Sequence, residues 1–165
     1  MATPTSLPAT FVAGNVLTAA EMNGLRGAFR ILQVVRATDA TDRSTTSTSF
    51  VDANISVTIT PTSATSDILL IWALYGVPSG GANARGEYQI TDSSNVAISG
   101  AEFTRLGHNS TSAPIYGDVR VIGYDSPATT SATTYKGRFE AASGTTNNIT
   151  NSANTGQLFA LEISA

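Results

Sequence analysis

The side chains that could perform chemistry are few and widely spaced in this sequence. The single histidine, His108, lies in a polar stretch, so we expect it to be a solvated surface residue. The acidic residues are spread singly along the chain, among them Glu87, Glu102, Asp118, Asp125, Glu140 and Glu162. Asp118 and Asp125 flank one predicted strand and could supply the two carboxylates, roughly 5 to 10 Å apart, that a glycosidase needs. Turn carboxylates at the ends of a strand are the simpler interpretation, and we prefer it.

The remaining catalytic and ligand-binding motifs are absent from the sequence. No segment resembles a nucleophile elbow, a zinc-binding helix or a phosphate loop. Gly80-Gly81 lacks the Lys and Ser/Thr of a phosphate loop, so it predicts a flexible hairpin end. Asp39 and Asp42 lack the ligand spacing of a calcium loop and predict solvated loop charges. Cysteine is absent, which excludes a disulfide framework, a thiolate metal site and a cysteine nucleophile. The sequence therefore predicts no catalytic, cofactor or metal site, and a protein that is not an enzyme.

Aromatic side chains offer the remaining route to a ligand, because a sugar ring can stack on an exposed aromatic face. Trp72 sits in the most apolar stretch of the chain, which favours core packing over a sugar-binding platform. Tyr116, Tyr124 and Tyr135 are better candidates for exposed stacking, although the edge of the core is the default position for each.

Composition narrows the class of protein further. Charged residues are only 13% of the 165 residues, the net charge is −3 and Lys136 is the single lysine. About a quarter of the chain is Ser or Thr, so its surface is solvated by hydroxyl and amide groups and suits contact with other protein copies. The absence of a basic cluster argues against nucleic-acid binding. The first residues lack the basic and apolar segments of a signal peptide, and we expect no contact with a membrane.

One apolar stretch organises the rest of the chain. Ile68–Val77 reads ILLIWALYGV, between Asp67 and the breaker cluster Pro78-Ser79-Gly80-Gly81. Ten residues are too few for a membrane-spanning helix, which needs about 20. The branched and aromatic composition predicts a strand that is buried on both faces. A buried helix is the alternative, disfavoured by the prolines and glycines on either side.

Alternating apolar and polar residues predict further short strands around this one. They are Phe29–Val35, Phe50–Thr60, Gly86–Thr91, Val96–Ser99, Phe103–Leu106, Asp118–Tyr124 with a bulge at Gly123, Thr133–Ala141 and Gln157–Ser164. Asp39–Ser49 and Ala142–Asn154 are polar and predict loops. Phe50–Thr60 and Ile68–Val77 are expected to be consecutive strands of one antiparallel sheet. Residues 29–165 are thus predicted to form an all-β domain, an antiparallel β-sandwich or jelly roll of seven to nine strands.

Residues 1–28 differ in character from this domain. Pro4 and Pro8 predict an extended N-terminal arm. Thr18 and Glu21 form a capping box, which predicts one short helix. Gly24 and Gly27 disfavour its continuation. So small a helix is marginal alone and must dock, either on its own domain or on a neighbouring subunit. We expect its apolar residues to anchor a partner: Phe11, Val12, Val16, Leu17, Met22 and Leu25.

Two stretches resemble proteins on the virion surface of tailed bacteriophages. FVAGNVLTAAEMNGLRGAF (Phe11–Phe29) resembles an element near the N-termini of many phage fibre, collar and head-surface proteins. ILQVVRATDATDRSTTSTSFVDANISVTITPTSATSDILLIWALYGV (Ile31–Val77) is similar to the order of strands and Ser/Thr loops in small β-sandwich modules of the same virions. Together the two stretches cover about the first half of the chain. Such modules share no active site, so the resemblance assigns no functional residue.

The resemblance implies a homotrimeric virion structural protein, made in the host cytoplasm and resident on the particle surface. A capsid decoration or head-fibre protein, attached by its N-terminal arm to virion proteins such as the major capsid protein, is the favoured form. The alternative is a short tail fibre or receptor-binding protein that contacts a host glycan, which predicts exposed Tyr or Trp near Asp or Asn at loop ends. A polysaccharide hydrolase that uses Asp118 and Asp125 is a third, disfavoured hypothesis.

Overall fold

Ten β-strands form the body of the chain in a computed structural model that describes residues 31–107 and 114–164. The strands are β1 (Ile31–Asp39), β2 (Arg43–Thr45), β3 (Val51–Ile59), β4 (Asp67–Ser79), β5 (Arg85–Asp92), β6 (Thr104–Gly107), β7 (Gly117–Asp125), β8 (Thr133–Ala141), β9 (Thr146–Ile149) and β10 (Gly156–Ile163). All of their pairings are antiparallel. The predicted all-β antiparallel fold is therefore confirmed, with ten strands rather than seven to nine.

The strands form two sheets that pack as a sandwich. Sheet A has the order β1-β10-β4-β9-β2, and β7 pairs with the other edge of β4. Sheet B has the order β3-β8-β5-β6. Thirteen residues make β4 long enough to pair with β10 over Asp67–Ala73 and then with β9 over Gly76–Ser79. The apolar stretch that organises the sequence is thus the strand around which sheet A is built.

The core fills the space between the two sheets. Trp72 of β4 is 1% exposed, and its ring meets Tyr88 edge to face at 6.1 Å between centroids. The prediction of core packing for Trp72 is confirmed. Gly137 of β8 makes room for the indole, because a Cβ built there would lie 2.9 Å from the Trp72 ring and from Ile55. A large side chain on one sheet therefore packs against a glycine on the other.

Inward and outward residues alternate as expected in several strands. In β3, Ile55, Val57 and Ile59 are buried while the intervening residues are exposed, which confirms one wet face. Tyr135 and Phe139 of β8 are buried on the same face as Gly137, as predicted. Tyr135 is fully buried, so the default position in the core holds and exposed stacking is wrong for this residue.

Two segments predicted as loops each contain a short strand. Asp39–Ser49 contains β2 and Ala142–Asn154 contains β9, and these two strands pair with each other. Their sequences, RST and TNNI, carry no run of alternating apolar residues, so periodicity could not detect them. The opposite error occurs at Val96–Ser99, which is not a strand and forms a single bridge between Thr91 and Ala97.

Three expectations about β4 and its neighbours are wrong. β3 and β4 lie in different sheets, so the turn after Ile59 crosses the sandwich instead of joining paired strands. Gly80-Gly81 likewise connects sheet A to sheet B and is not a hairpin end, since β4 and β5 do not pair. The register of β7 against β4 runs through Gly123 without a bulge. Gly123 is needed for packing, because a Cβ there would lie 2.8 Å from the Ala101 side chain.

A buried carboxylate ties the edge strand β1 to the turn between the sheets. Glu162 of β10 is fully buried and accepts hydrogen bonds from Gln33 Nε2 (2.6 Å), Thr62 N (2.7 Å) and Thr62 Oγ1 (2.7 Å). Burial alone would raise the pKa of Glu162. Hydrogen bonds from Gln33 and Thr62 outweigh burial and lower the pKa to about 2. Glu162 is therefore an ionised structural residue at neutral pH.

Several sequence predictions fall outside the described residues. The N-terminal arm, its short helix and the anchoring residues Phe11, Val12, Val16, Leu17, Met22 and Leu25 precede residue 31. His108 lies in the undescribed segment 108–113. Over the described ranges, the chain has no helix long and apolar enough to cross a membrane.

Candidate functional site

The outer face of sheet A is apolar across four neighbouring strands. We call this surface the apolar face. It consists of Val34 (β1), Phe159, Leu161 and Ile163 (β10), Leu69 and Ile71 (β4), and Ile122 and Tyr124 (β7). The expectation that Ile68–Val77 is buried on both faces is wrong for the single chain, since the outward residues of β4 are only half-buried.

The register of the strands places these side chains in two adjacent rows. One row runs across the sheet as Val34, Leu161, Leu69 and Tyr124. The next consists of Arg36 at the β1 margin, followed by Phe159, Ile71 and Ile122. Because directly opposed side chains on neighbouring antiparallel strands lie about 5 Å apart, the rows form one continuous surface.

Exposure confirms that nothing in the described part of the chain covers the apolar face. Val34 is 55% exposed, Ile122 54% and Tyr124 47%, while the β4 and β10 members are half-buried by their neighbours. Together they form an exposed apolar patch in the size class of the largest patches on typical monomers, about 300–600 Å², which are often functional.

Sheet B provides a comparison within the same molecule. Its outer face is polar, with Ser56 and Thr58 on β3 and Lys136, Arg138 and Glu140 on β8. That is the normal composition of a sheet face that meets water. The outward residues thus make the face of sheet B polar, as on a sheet that meets water, and the face of sheet A apolar, as at a protein interface.

A second feature is a groove of about 310 Å³ where β2 and β9 lie beside the end of β4. Its polar and aromatic lining includes Asp42, Arg43, Ser44, Tyr116, Asn148 and Thr150. Tyr116 is 61% exposed, whereas Thr150 Oγ1 is buried and has no protein hydrogen-bond partner. An exposed aromatic ring beside hydroxyl and amide groups offers the stacking and hydrogen-bonding contacts that a sugar ring can use.

The charged groups beside this groove are held by protein contacts. Asp42 accepts hydrogen bonds from Ser152 N (2.7 Å) and Ser152 Oγ (2.8 Å), and these bonds lower the pKa of Asp42. Arg43 Nε lies 3.1 Å from Asp39 Oδ2. Burial opposes ionisation of Asp39, but the hydrogen bond from Thr41 and the pairing with Arg43 lower its pKa. The groove therefore favours a neutral polar ligand over a strongly charged one.

A carboxylate pair lies on the outer face of sheet B. Glu87 and Glu140 face each other in the register of β5 and β8. Burial, and then the hydrogen bond and repulsion from Glu87, raise the pKa of Glu140, and Arg85 opposes the shift. Arg105 Nη2 lies 2.6 Å from Glu87 Oε1, and Arg85 Nε lies 3.4 Å from the same oxygen. The pair is thus part of an ion-pair cluster on a sheet surface.

Comparison with known proteins adds no assignment. No family model matches this chain, and no curated protein matches it. The function must therefore be argued from these surfaces.

The structure separates the acidic residues that the sequence suggested as a pair. Asp118 and Asp125 lie at opposite ends of β7, and seven residues of strand span roughly 23 Å. Asp125 accepts a hydrogen bond from Tyr135 OH at 2.6 Å, and Asp118 lies 3.7 Å from Arg120. This separation removes the geometric basis of the hydrolase hypothesis. Within the described ranges, no group of three or more His, Cys, Asp or Glu residues could hold a metal ion.

Sequence reasoning missed the apolar face for an identifiable reason. The continuous apolar sequence of β4 predicts burial of both faces within one domain, whereas every second residue of the strand points outward. The strand β10 gives the same indication. Its inward residues Leu158 and Ala160 and its outward residues Phe159, Leu161 and Ile163 are all apolar, so both of its faces avoid water.

Proposed function

We propose that this protein is a non-enzymatic structural protein of a tailed-bacteriophage virion, which decorates or stabilises the capsid surface. In this role residues 1–28 attach the protein to other virion proteins, such as the major capsid protein, and the β-sandwich projects from the particle. The protein forms a homotrimer, is made in the host cytoplasm and resides on the virion surface.

The observation that carries the proposal is the apolar face on an otherwise polar, low-charge sandwich. Patches of this size are often functional even on monomers, and an apolar sheet face opposite a polar one suits contact with another protein. The resemblance of Phe11–Phe29 and Ile31–Val77 to virion surface proteins supplies the kind of assembly. An apolar N-terminal stretch joined to a sandwich suits a protein that is held at one end.

The test is the presence of the chain in purified particles. Density-gradient-purified virions from the phage or prophage that encodes the chain should contain it by mass spectrometry, at a stoichiometry fixed relative to the capsid protein. A chain that lacks residues 1–28 should be expressed and folded, as judged by circular dichroism, but missing from the particles. Particles that still contain the truncated chain would disprove the anchoring role, and absence of the full chain would disprove the virion role.

A second candidate function is binding of a host-surface glycan, as in a short tail fibre or receptor-binding protein. The groove beside β2 and β9 favours it, because exposed Tyr116 lies beside Asp42 and Asn148, the combination that the sequence argument requires. A glycan array probed with the purified protein should then show binding to a neutral oligosaccharide. Tyr116→Ala should reduce that affinity at least tenfold, since stacking on an aromatic ring contributes substantially to such contacts. Val96→Ala, at a similarly exposed position outside the groove, should leave the affinity unchanged.

A further inference from the structure

We propose that the apolar face is the surface through which copies of this chain associate, so that each face is covered by neighbouring copies. This inference rests on the homo-oligomer of the proposed function and names the surface that holds it together. It assigns a role to the outward residues of β1, β4, β7 and β10, which the interior of the sandwich does not use.

The size of the face fits this role. A standard protein–protein interface covers about 800 Å² on each partner, of which about 55–65% is apolar. The exposed apolar surface of this face, on the order of 300–600 Å², is comparable with the apolar area that one side of such an interface contributes.

The distribution of charge also fits. The two central rows contain no ionised side chain between their ends. The nearest charges are Arg36 at the β1 end, Asp67 of β4, which accepts a hydrogen bond from Tyr124 OH, and the paired Arg120 and Asp118 of β7. Arg36 is exposed at the β1 margin, and Asp118 is exposed at the β7 margin, where Arg120 Nη2 lies 3.7 Å away. A second copy can therefore cover the two rows without burying an unpaired charge.

Two other occupants are possible in principle and become outcomes of the test. Residues 1–30 join the sheet at Ile31, which is paired with Ile163 at one end of the face. They could therefore lie over the face of their own subunit. A different protein could also cover it. A second copy is the occupant that the interface-sized apolar area and the absence of ionised side chains between the ends of the two central rows favour.

The first experiment measures the mass of the full chain and of charged variants by light scattering at micromolar concentration. Val34→Asp and Ile122→Asp place a carboxylate in the face at positions that are more than half exposed, so each variant should fold. We expect the wild type to be oligomeric and both variants to dissociate, with the apparent dissociation constant raised at least a hundredfold. Val96→Asp is the matched control, since Val96 is 62% exposed away from the face, and it should keep the wild-type mass.

The second experiment uses the absence of cysteine from the chain. A thiol introduced by Ile122→Cys should react with a maleimide at least tenfold more slowly than one introduced by Val96→Cys. Adding Val34→Asp to the Ile122→Cys protein should abolish that protection. A monomeric wild type whose Ile122→Cys thiol stays protected at every dilution would show that the chain's own residues cover the face. A monomer whose thiol reacts rapidly would show a bare face, and either result overturns the inference.

Failure of this inference can be told apart from failure of the proposed function. If the wild type is a trimer and both aspartate variants remain trimers with wild-type circular dichroism, the copies associate elsewhere. The inference is then wrong, while the virion role stands. If the variants dissociate but the chain is absent from purified particles, the surface assignment holds and the virion role is wrong.

Discussion

Replacing the buried carboxylate Glu162 by glutamine should destabilise the protein strongly at neutral pH. Glu162→Gln keeps the size of the side chain and removes the charge that three hydrogen-bond donors, from Gln33 and Thr62, now satisfy. One donor will meet the new amide N–H₂ group, which cannot accept its hydrogen bond.

The magnitude follows from proton linkage. A carboxyl group whose pKa falls from 4.5 in the unfolded chain to about 2 in the folded protein contributes up to about 3 kcal/mol of stability at neutral pH. Because the folded-state pKa is depressed, this contribution is complete above about pH 5 and is lost as the pH falls towards 2. The glutamine variant lacks this contribution at every pH. The free energies of unfolding of the two proteins should therefore differ by about 2–3 kcal/mol at pH 7 and by almost nothing at pH 2.

Urea unfolding followed by circular dichroism, at one protein concentration and at several pH values between 7 and 2, measures this difference. Glu102→Gln is the matched control, because Glu102 is exposed and its substitution should change stability by less than about 0.5 kcal/mol. A Glu162→Gln protein as stable as the wild type at pH 7, or a deficit that persists unchanged at pH 2, would refute this role of the Glu162 carboxylate.

Two further substitutions test the packing and the charges of the sandwich. Gly137→Ala should lower the free energy of unfolding by about 1–3 kcal/mol, because its methyl group would lie 2.9 Å from the Trp72 ring. An unchanged urea midpoint would mean that the two sheets can move apart at little cost. Glu140→Gln should stabilise the protein at pH 7 by up to about 1 kcal/mol, since it removes the repulsion from Glu87 that raises the pKa of Glu140. That gain should disappear at pH 4, where the raised pKa leaves Glu140 largely protonated, and a gain that does not depend on pH would contradict the assignment.

The sequence predicted the fold class because most strands carry a local signal. Val57 and Ile59 in β3, and Tyr135 and Phe139 in β8, alternate with polar residues, and a period of two indicates a strand with one buried face. The pairing of strands was harder to predict. Nothing in Pro61–Ser66 shows that this turn crosses from one sheet to the other, because the partner strands are distant in sequence.

The candidate surfaces depended still more on the three-dimensional arrangement. Tyr116 and Asn148 are 32 positions apart, and only the pairing of β9 with the end of β4 brings them to one groove. The short polar strands β2 and β9 owe their conformation to their partners and not to their own composition. In the sequence Glu162 is one of several scattered carboxylates, and its burial beside Gln33 follows from the pairing of β10 with the edge strand β1.

The most direct test of the account is the mass of the full-length wild-type protein in solution at micromolar concentration. The proposed trimer predicts about three times the 17.0 kDa mass of one chain in light scattering coupled to size-exclusion chromatography. A single species with the mass of one chain would contradict the central claim that this face exists to join copies of the protein.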